Sequence, residues 1–426
     1  MENTFDKLPF KPADILLPRD CDYDKWSVVA CDQYTSQPEY WQRVEERVGR
    51  APSALRLILP ESSLDGPHVE MDIMEINSTM SRYVREGRFK AFPGSMVYVE
   101  RTLSNGRVRR GLVGMADLSA YDYEPGSDAL IRATEGVVMS RIPPRVAVRK
   151  NAPIELPHVM LLTDDPDRTV IEPLSAGTNL MEPLYDFDLM EQGGHVRGWL
   201  LTREQLGQVA GALSALADPA AFNARYHTEN QPVMLFAMGD GNHSLATAKE
   251  CYERQKRLTP QSKWDTLPAR FALCELVNLH DDSLEFEPIH RVVFHTKPEE
   301  LLDALARRYP GAQRGEGDGL SLRYVYAGAE GVITLPRSAH RLPVGALQSF
   351  LDDYLMDRPG RVDYIHGEDV AREFAARPGN IAFLLPPMAK EELFPCVIHG
   401  GVLPRKTFSM GEAHDKRFYL EARKIR

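Results

Sequence analysis

The chain is poor in cysteine, and what it has is scattered. Cys21, Cys31, Cys251, Cys274 and Cys396 are an odd number with no close pair. That excludes zinc-finger spacing, a Cys-x-x-Cys redox pair and a dense disulfide framework. Isolated thiols of this kind fit a cytoplasmic protein. Long hydrophobic runs are also lacking. No stretch approaches the roughly 20 apolar residues that a membrane-spanning helix needs, and the opening MENTFDKLPFKPADILLP shows no basic-then-apolar leader pattern. Basic charge is in deficit: 51 Lys and Arg face 61 Asp and Glu, a net charge of −10. Nucleic acid is therefore not the expected partner, because a phosphate backbone selects a basic face. There is no internal repeat and no low-complexity tail.

What is present is 426 residues, 43% of them hydrophobic, enough to bury large cores in two or three domains of mixed α/β type. The most informative stretch is Pro232 to Lys256, PVMLFAMGDGNHSLATAKECYERQK. An apolar run, Val233 to Met238, ends in Gly239-Asp240-Gly241. Then the period changes: Leu245, Ala248 and Tyr252 share one helical face, with Lys249, Glu250, Glu253 and Lys256 opposite. The expectation is a buried strand, a glycine-flanked turn and a helix capped by Asn242 or Ser244. A helix start has unpaired N–H donors and the positive end of the dipole, a natural seat for an anion. Gly241 lets a ligand approach the backbone closely. Asp240, Asn242, His243 and Ser244 supply more polar chemistry within five residues than a cap needs.

Upstream, Trp26 to Cys31 (WSVVAC) reads as a short buried strand, and Asp32 to Ser36 (DQYTS) either lines a pocket or forms a turn and cap. Asn105-Gly106 between two strand-like runs predicts a hairpin. From Arg132 to Lys150 the sign of charge reverses: Arg132, Arg141, Arg145, Arg149 and Lys150 accompany one acid, Glu135. Arginine forks suit phosphate and carboxylate oxygens, so Arg132, Arg141 and Arg145 are candidate ligands of an anionic substrate. Glu135 is either a general base or the ion-pair partner of a neighbouring arginine. Pro157 to Thr163 reads as a strand ending in Asp164-Asp165, read as the opening of a turn with Pro166 rather than a Mg²⁺ site.

Glu275 and Asn278 stand inside the apolar run RFALCELVN, and His290 and Arg291 precede a β-branched run. A buried Glu275 needs a partner, and His290 or Arg291 is the expectation. All four are kept as candidate binding residues. Residues 403–426 are basic, with seven Lys and Arg against three acids. Lys406 there is a candidate phosphate contact, and Phe408, Phe418, Tyr419 and Leu420 give the tail something to bury. The expected division is 1–127 as an N-terminal α/β unit, 128–297 as the core with the site, and 298–426 as a C-terminal α/β unit whose tail docks back on the core.

The segments FKPADILLP, CDQYTSQPEYW, IRATEG, SRIPPR, GDGNHSLATAK, FEPIHRV and LPRKTFSMGEA together resemble one bacterial and archaeal family long described only as a domain of unknown function. The resemblance runs from about residue 10 to residue 425. The apolar strand followed by Asp-Gly-x-His at a helix start is also similar to the ParB-like fold, which includes ParB partition proteins, sulfiredoxin and the free serine kinases. In that fold the motif reads Asp-Gly-His-His-Arg, and its helix start holds nucleotide phosphates. Asp240, Gly241 and His243 match it, whereas Asn242 stands for the first His and Ser244 for the Arg. The resemblance implies a ParB-like core and a phosphotransferase acting on a small polar metabolite, with free L-serine the first choice. It implies Glu135 as base, His243 and the helix amides around the phosphoryl group, and Asp240 on Mg²⁺ or on the substrate hydroxyl. ATP, ADP or pyrophosphate would be the donor. Two other outcomes stay open: a phosphatase or other hydrolase using the same anion seat, and a ParB-like regulatory protein that binds a nucleotide without metabolic activity.

Overall fold

The computed structural model describes residues 4–64 and 66–426. The chain is mixed α/β and forms two compact units. The first comprises residues 1–284 and 411–426, the second 285–410. The sequence boundary expected at 127 falls inside the first unit, for a simple reason. The strands Val97–Thr102 and Val108–Asp117 belong to the same sheet as Met160–Thr163, Phe236–Asp240 and Phe271–Asn278. Separating them would leave a row of sheet hydrogen-bond groups unpaired.

That ten-stranded sheet runs in the order Glu182–Asp188, His195–Leu200, Val97–Thr102, Val108–Asp117, Phe271–Asn278, Met160–Thr163, Phe236–Asp240, Ile131–Arg132, Tyr121–Asp122. Phe10–Lys11 pairs alongside Val108–Asp117. Alternation along its strands feeds two cores, as the period of two requires. Val97, Val99, Val113 and Leu273 face one cluster with Trp26, Val28 and Val29. Tyr98, Leu112, Cys274 and Leu276 face the other, with Phe236, Met238, Leu245 and Tyr252. The Asn105-Gly106 signal is realised: the strands on either side pair antiparallel from Val97↔Val113 to Thr102↔Val108, and Gly106 takes φ +80°.

The tail, 411–426, is part of the first unit. Ala422–Lys424 is a strand between Ala13–Pro18 and Ile154–Glu155 in a four-stranded sheet. WSVVAC, expected as a strand, is not one. Tyr23–Trp26 is a single helical turn, and Val29 makes one isolated bridge to Phe418. The tail takes the backbone groups there, with Ala30 N–H donating to the Arg417 carbonyl and Tyr419 N–H to the Val28 carbonyl. The second unit has a seven-stranded sheet built around Phe286–Phe294 and Ile381–Leu384. Among the described residues no helix is long and apolar enough to cross a membrane.

Glu155 in the first unit is a buried charge held by opposite ones. Glu155 accepts from Leu273 N–H at 2.9 Å, from Arg423 Nε at 2.8 Å and from Arg149. Burial by itself would raise this carboxyl. Arg149, Arg423 and the Leu273 amide outweigh it and hold Glu155 below its ordinary 4.5. A carboxyl depressed in the folded state stabilises the fold above the unfolded pKa, and the contribution is lost as pH falls through the folded value. The urea midpoint of the protein is therefore expected to fall on acidification below about pH 4.5. Glu155→Gln should lose roughly 1–3 kcal/mol at neutral pH and show a flatter acid limb. Equal acid slopes for the two proteins would contradict this.

Candidate active site

The apolar run of the sequence becomes the central strand Phe236–Asp240, and the central helix Asn242–Arg257 follows at once. Met238 and Asp240 pair with Leu161 and Met160 across a register shift at Gly239. Gly241 is the N-cap at φ +82°, left-handed, where a side chain is strained. A Cβ there would also stand 3.2 Å from the Val159 backbone. Sequence reasoning expected Asn242 or Ser244 to cap this helix. The structure corrects that: both lie inside the first turn, the N-cap is Gly241, and among the described residues no side chain caps the helix. Their polar groups are therefore left for other work.

Four separate segments converge on this turn. Residues 133–138 run beside it, with Thr134 Oγ1 donating to the Met238 carbonyl at 2.8 Å and Val138 N–H donating to His243 Nε2 at 3.2 Å. Glu135 lies on this loop, half-buried. His158, just before the strand Met160–Thr163, places Nε2 3.0 Å from Ser244 Oγ and Nδ1 2.7 Å from Tyr419 Oη. From the tail, Lys416 Nζ sits 3.4 Å from Asp240 Oδ2, while Asp240 Oδ1 accepts the Gly241 amide at 2.9 Å. The fourth is the DQYTS segment, where Asp32 Oδ2 is 3.8 Å from His158 Nε2. Burial would raise the Asp32 carboxyl. His158, the Gln33 amide and Lys416 together outweigh that and hold it below its ordinary 3.8. The side-chain oxygen Oδ1 of Asn242 is buried with no hydrogen-bond partner among the described residues.

The three arginines expected to cradle an anion sit in different surroundings. Arg132 is buried and its guanidinium is spent on the carbonyls of Ala129 (2.8 Å) and Pro232 (2.9 Å), so it fastens the loop instead of facing an anion. Arg141 is exposed, and its carbonyl accepts from Arg145. Arg145 pairs with Glu61 and lies close enough to Asp32 for that carboxylate to act on it. Glu275 is 2% exposed, and its partners are Arg417 at 3.2 Å and Arg109 at 3.7 Å, not His290 or Arg291. Gly111 makes the room, since a Cβ there would overlap the Glu275 carboxylate. Asn278 donates to the Asp165 carbonyl and to Glu172, both at 2.8 Å, and so ties two loops together. Asp165 accepts the Thr169 and Val170 amides, the expected turn. His290, Arg291 and Lys406 belong to the second unit. There His290 Nδ1 accepts the Leu385 amide, and Arg291 donates to the Lys406 carbonyl.

Asp240 does not fit a resident Mg²⁺ site. One of its oxygens is engaged by an amide and the other faces an ammonium group. The sequence assigns none of His158, Lys416 and Tyr419 to the site. Their only signals were the docked aromatic tail and a lone histidine before a strand, and neither points to the turn at 239–244.

A mixed α/β unit in which a glycine-flanked, uncapped helix start is ringed by two carboxylates, a lysine and two imidazoles is the class of protein defined by these observations. The chain belongs to the family described as Protein of unknown function (DUF1015), whose model matches residues 12–358. No curated protein matches it. Among solved structures it is similar to a mutant free serine kinase in complex with AMP, at 12% identity and a TM-score of 0.40, covering 75% of this chain and 93% of that one. A complex of a mutant free serine kinase with ADP gives 11% identity, a TM-score of 0.40 and the same coverage. A conserved hypothetical protein from Pyrococcus furiosus gives 10% identity and a TM-score of 0.37, covering 73% of this chain and 94% of that one.

Proposed function

We propose that this protein is a phosphotransferase that moves a phosphoryl group from pyrophosphate or a nucleotide, ATP or ADP, to the hydroxyl of a small polar metabolite, with free L-serine the first acceptor to test. The observation that carries this reading is the uncapped first turn at Asn242–Ser244 set beside Asp240, Lys416 and Asp32. Phosphoryl transfer is mainly positioning and charge neutralisation. The helix amides suit the transferred group's oxygens, and Lys416 supplies a point charge. The orphaned Asn242 Oδ1 calls for a hydrogen-bond donor, which an amino-acid ammonium or hydroxyl provides. In the transfer, the acceptor oxygen bonds to phosphorus as the donor's bridging P–O bond breaks, and a carboxylate takes the hydroxyl proton. Glu135 is the base expected from sequence. Asp32 is the one we assign to be tested first, because its carboxyl stands 3.8 Å from His158 Nε2 and lies below its ordinary pKa. Mg²⁺ would arrive on the donor's phosphates.

The test is transfer from labelled pyrophosphate, ADP and ATP with serine present, separating labelled O-phosphoserine from free phosphate. Labelled phosphoserine is the expected product. Phosphate release that ignores the acceptor would instead identify a phosphatase. Nucleotide binding with no turnover on any amino-acid or other hydroxyl acceptor would favour the regulatory reading. Failure to bind any donor would end all three.

A further inference from the structure

We propose that His158 is a positioning residue held as the neutral Nε2–H tautomer, and that it turns the Ser244 hydroxyl into a hydrogen-bond donor aimed at an anion seated on the first turn of the central helix. The donor role rests on the function proposed above; the tautomer does not.

Tyr419 Oη accepts the Cys31 N–H at 3.1 Å. A phenol has a single proton to give, and burial keeps the Tyr419 hydroxyl protonated by pushing its pKa well above 10. The strong acceptor within reach of that proton is His158 Nδ1, 2.7 Å away. The neighbouring Cys31 sulfur is a weak acceptor by comparison. With Nδ1 accepting, the imidazole proton is on Nε2. It faces Ser244 Oγ at 3.0 Å, whereas Asp32 Oδ2 at 3.8 Å is beyond a direct hydrogen bond. A Ser244 oxygen that accepts from His158 has its own proton still to place. Thr247, one turn further on, gives its proton to the carbonyl of His243, four residues back. Among the described residues Ser244 has no such acceptor, and its partner is His158. Its proton is therefore available at the helix start, where the N-cap is a glycine with no side chain to offer.

The opposite assignment would make His158 a base and Ser244 a nucleophile. It requires Nδ1–H to donate to Tyr419, which would then accept two N–H bonds while its own buried proton lost the His158 acceptor. Buried donors are rarely left in that state.

Long-range ¹H–¹⁵N spectra of the histidine-labelled, ligand-free protein at neutral pH read the tautomer directly. The expected pattern for His158 is an unprotonated Nδ1 and a protonated Nε2, and in Tyr419→Phe this preference should be lost. The reverse pattern in the wild type overturns the proposal. Calorimetric titration with pyrophosphate then tests the donor role, on variants whose thermal unfolding matches the wild type. Ser244→Ala and His158→Leu are each expected to weaken binding about tenfold. His158→Gln, whose amide reaches the Nε2 position, should retain most of the affinity. In a Ser244→Ala background His158→Leu should cost nothing further, because it acts through Ser244. Additive losses, or a pyrophosphate affinity indifferent to Ser244→Ala, overturn the donor role even if the tautomer is as expected. A wild type that binds neither phosphate nor pyrophosphate overturns that role together with the function it rests on, and leaves the spectroscopic result standing.

Discussion

Arg417→Met is expected to lower the stability of the first unit by about 3–5 kcal/mol, the cost of removing one partner from a buried charge pair. Arg417 is 6% exposed and bonds Glu275 at 3.2 Å and Glu421 at 2.6 Å, with both carboxylates almost fully buried. Neither carboxylate can be rehydrated in place, so the variant strands negative charge in the core. The same residue sits between Lys416 and Tyr419, and the tail around it is also held by other side chains of the first unit. Arg101 donates to the carbonyls of Lys416 and His414, Arg109 to that of Asp415, and Ser104 to the Asp415 carboxylate. Loosening the tail should therefore also remove the ammonium from Asp240 and the phenol from His158. Urea unfolding and pyrophosphate titration on the same protein measure both effects. Adding Glu421→Gln to Arg417→Met should restore much of the stability, because Glu275 keeps Arg109 as its partner and no unpaired charge then remains, while pyrophosphate binding stays impaired. A single-variant loss below about 1 kcal/mol, the size of an exposed pair, would show that this network is not what fastens the tail.

The same residues mark how far the sequence could be read. The strand–turn–helix at 236–257 was legible because its hydrophobic period switches from continuous to helical across two glycines. The hairpin was legible because Asn-Gly is local turn chemistry. The docking of Phe418, Tyr419 and Leu420 was legible because such side chains are seldom left in water. The partner of Glu275 was not, since Arg417 lies 142 residues further on and nothing in either neighbourhood names the other. Arg132 misled for a related reason. A buried arginine and a ligand-binding arginine look alike until the carbonyls of Ala129 and Pro232 are seen to fill its fork. WSVVAC has the composition of a strand, yet pairs by a single bridge because its neighbour is a short, irregular piece of tail. His158 and Tyr419 meet across 261 residues, which no spacing rule reaches. DQYTS reads as pocket-lining or turn, and its Asp32 is the part that comes within 3.8 Å of His158.

Asp32 carries the prediction with the largest kinetic effect. Its carboxylate accepts from the Gln33 amide and stands near the cationic Lys416 and Arg145, and these favour its ionised form. A base of low pKa is a weak proton acceptor in general, but phosphoryl transfer through a loose transition state demands little of it, because positioning and charge dominate. Asp32→Asn keeps the shape and the Gln33 contact while removing the charge, so kcat with serine and pyrophosphate is expected to fall by about 10²–10⁴-fold, the range for a general base. KM should change much less, since the amides and Lys416 that hold the donor remain. Glu135→Gln is the companion experiment. Glu135 sits on a loop pinned by Thr134 and Val138 to the same turn, so a purely structural role predicts a small loss of stability and less than a tenfold change in kcat. If Glu135→Gln takes the large loss and Asp32→Asn the small one, the proton goes to Glu135, and Asp32 is left to balance the charge of Lys416. If neither substitution moves kcat by tenfold, no carboxylate at this turn is the base, and the proposed transfer chemistry fails there.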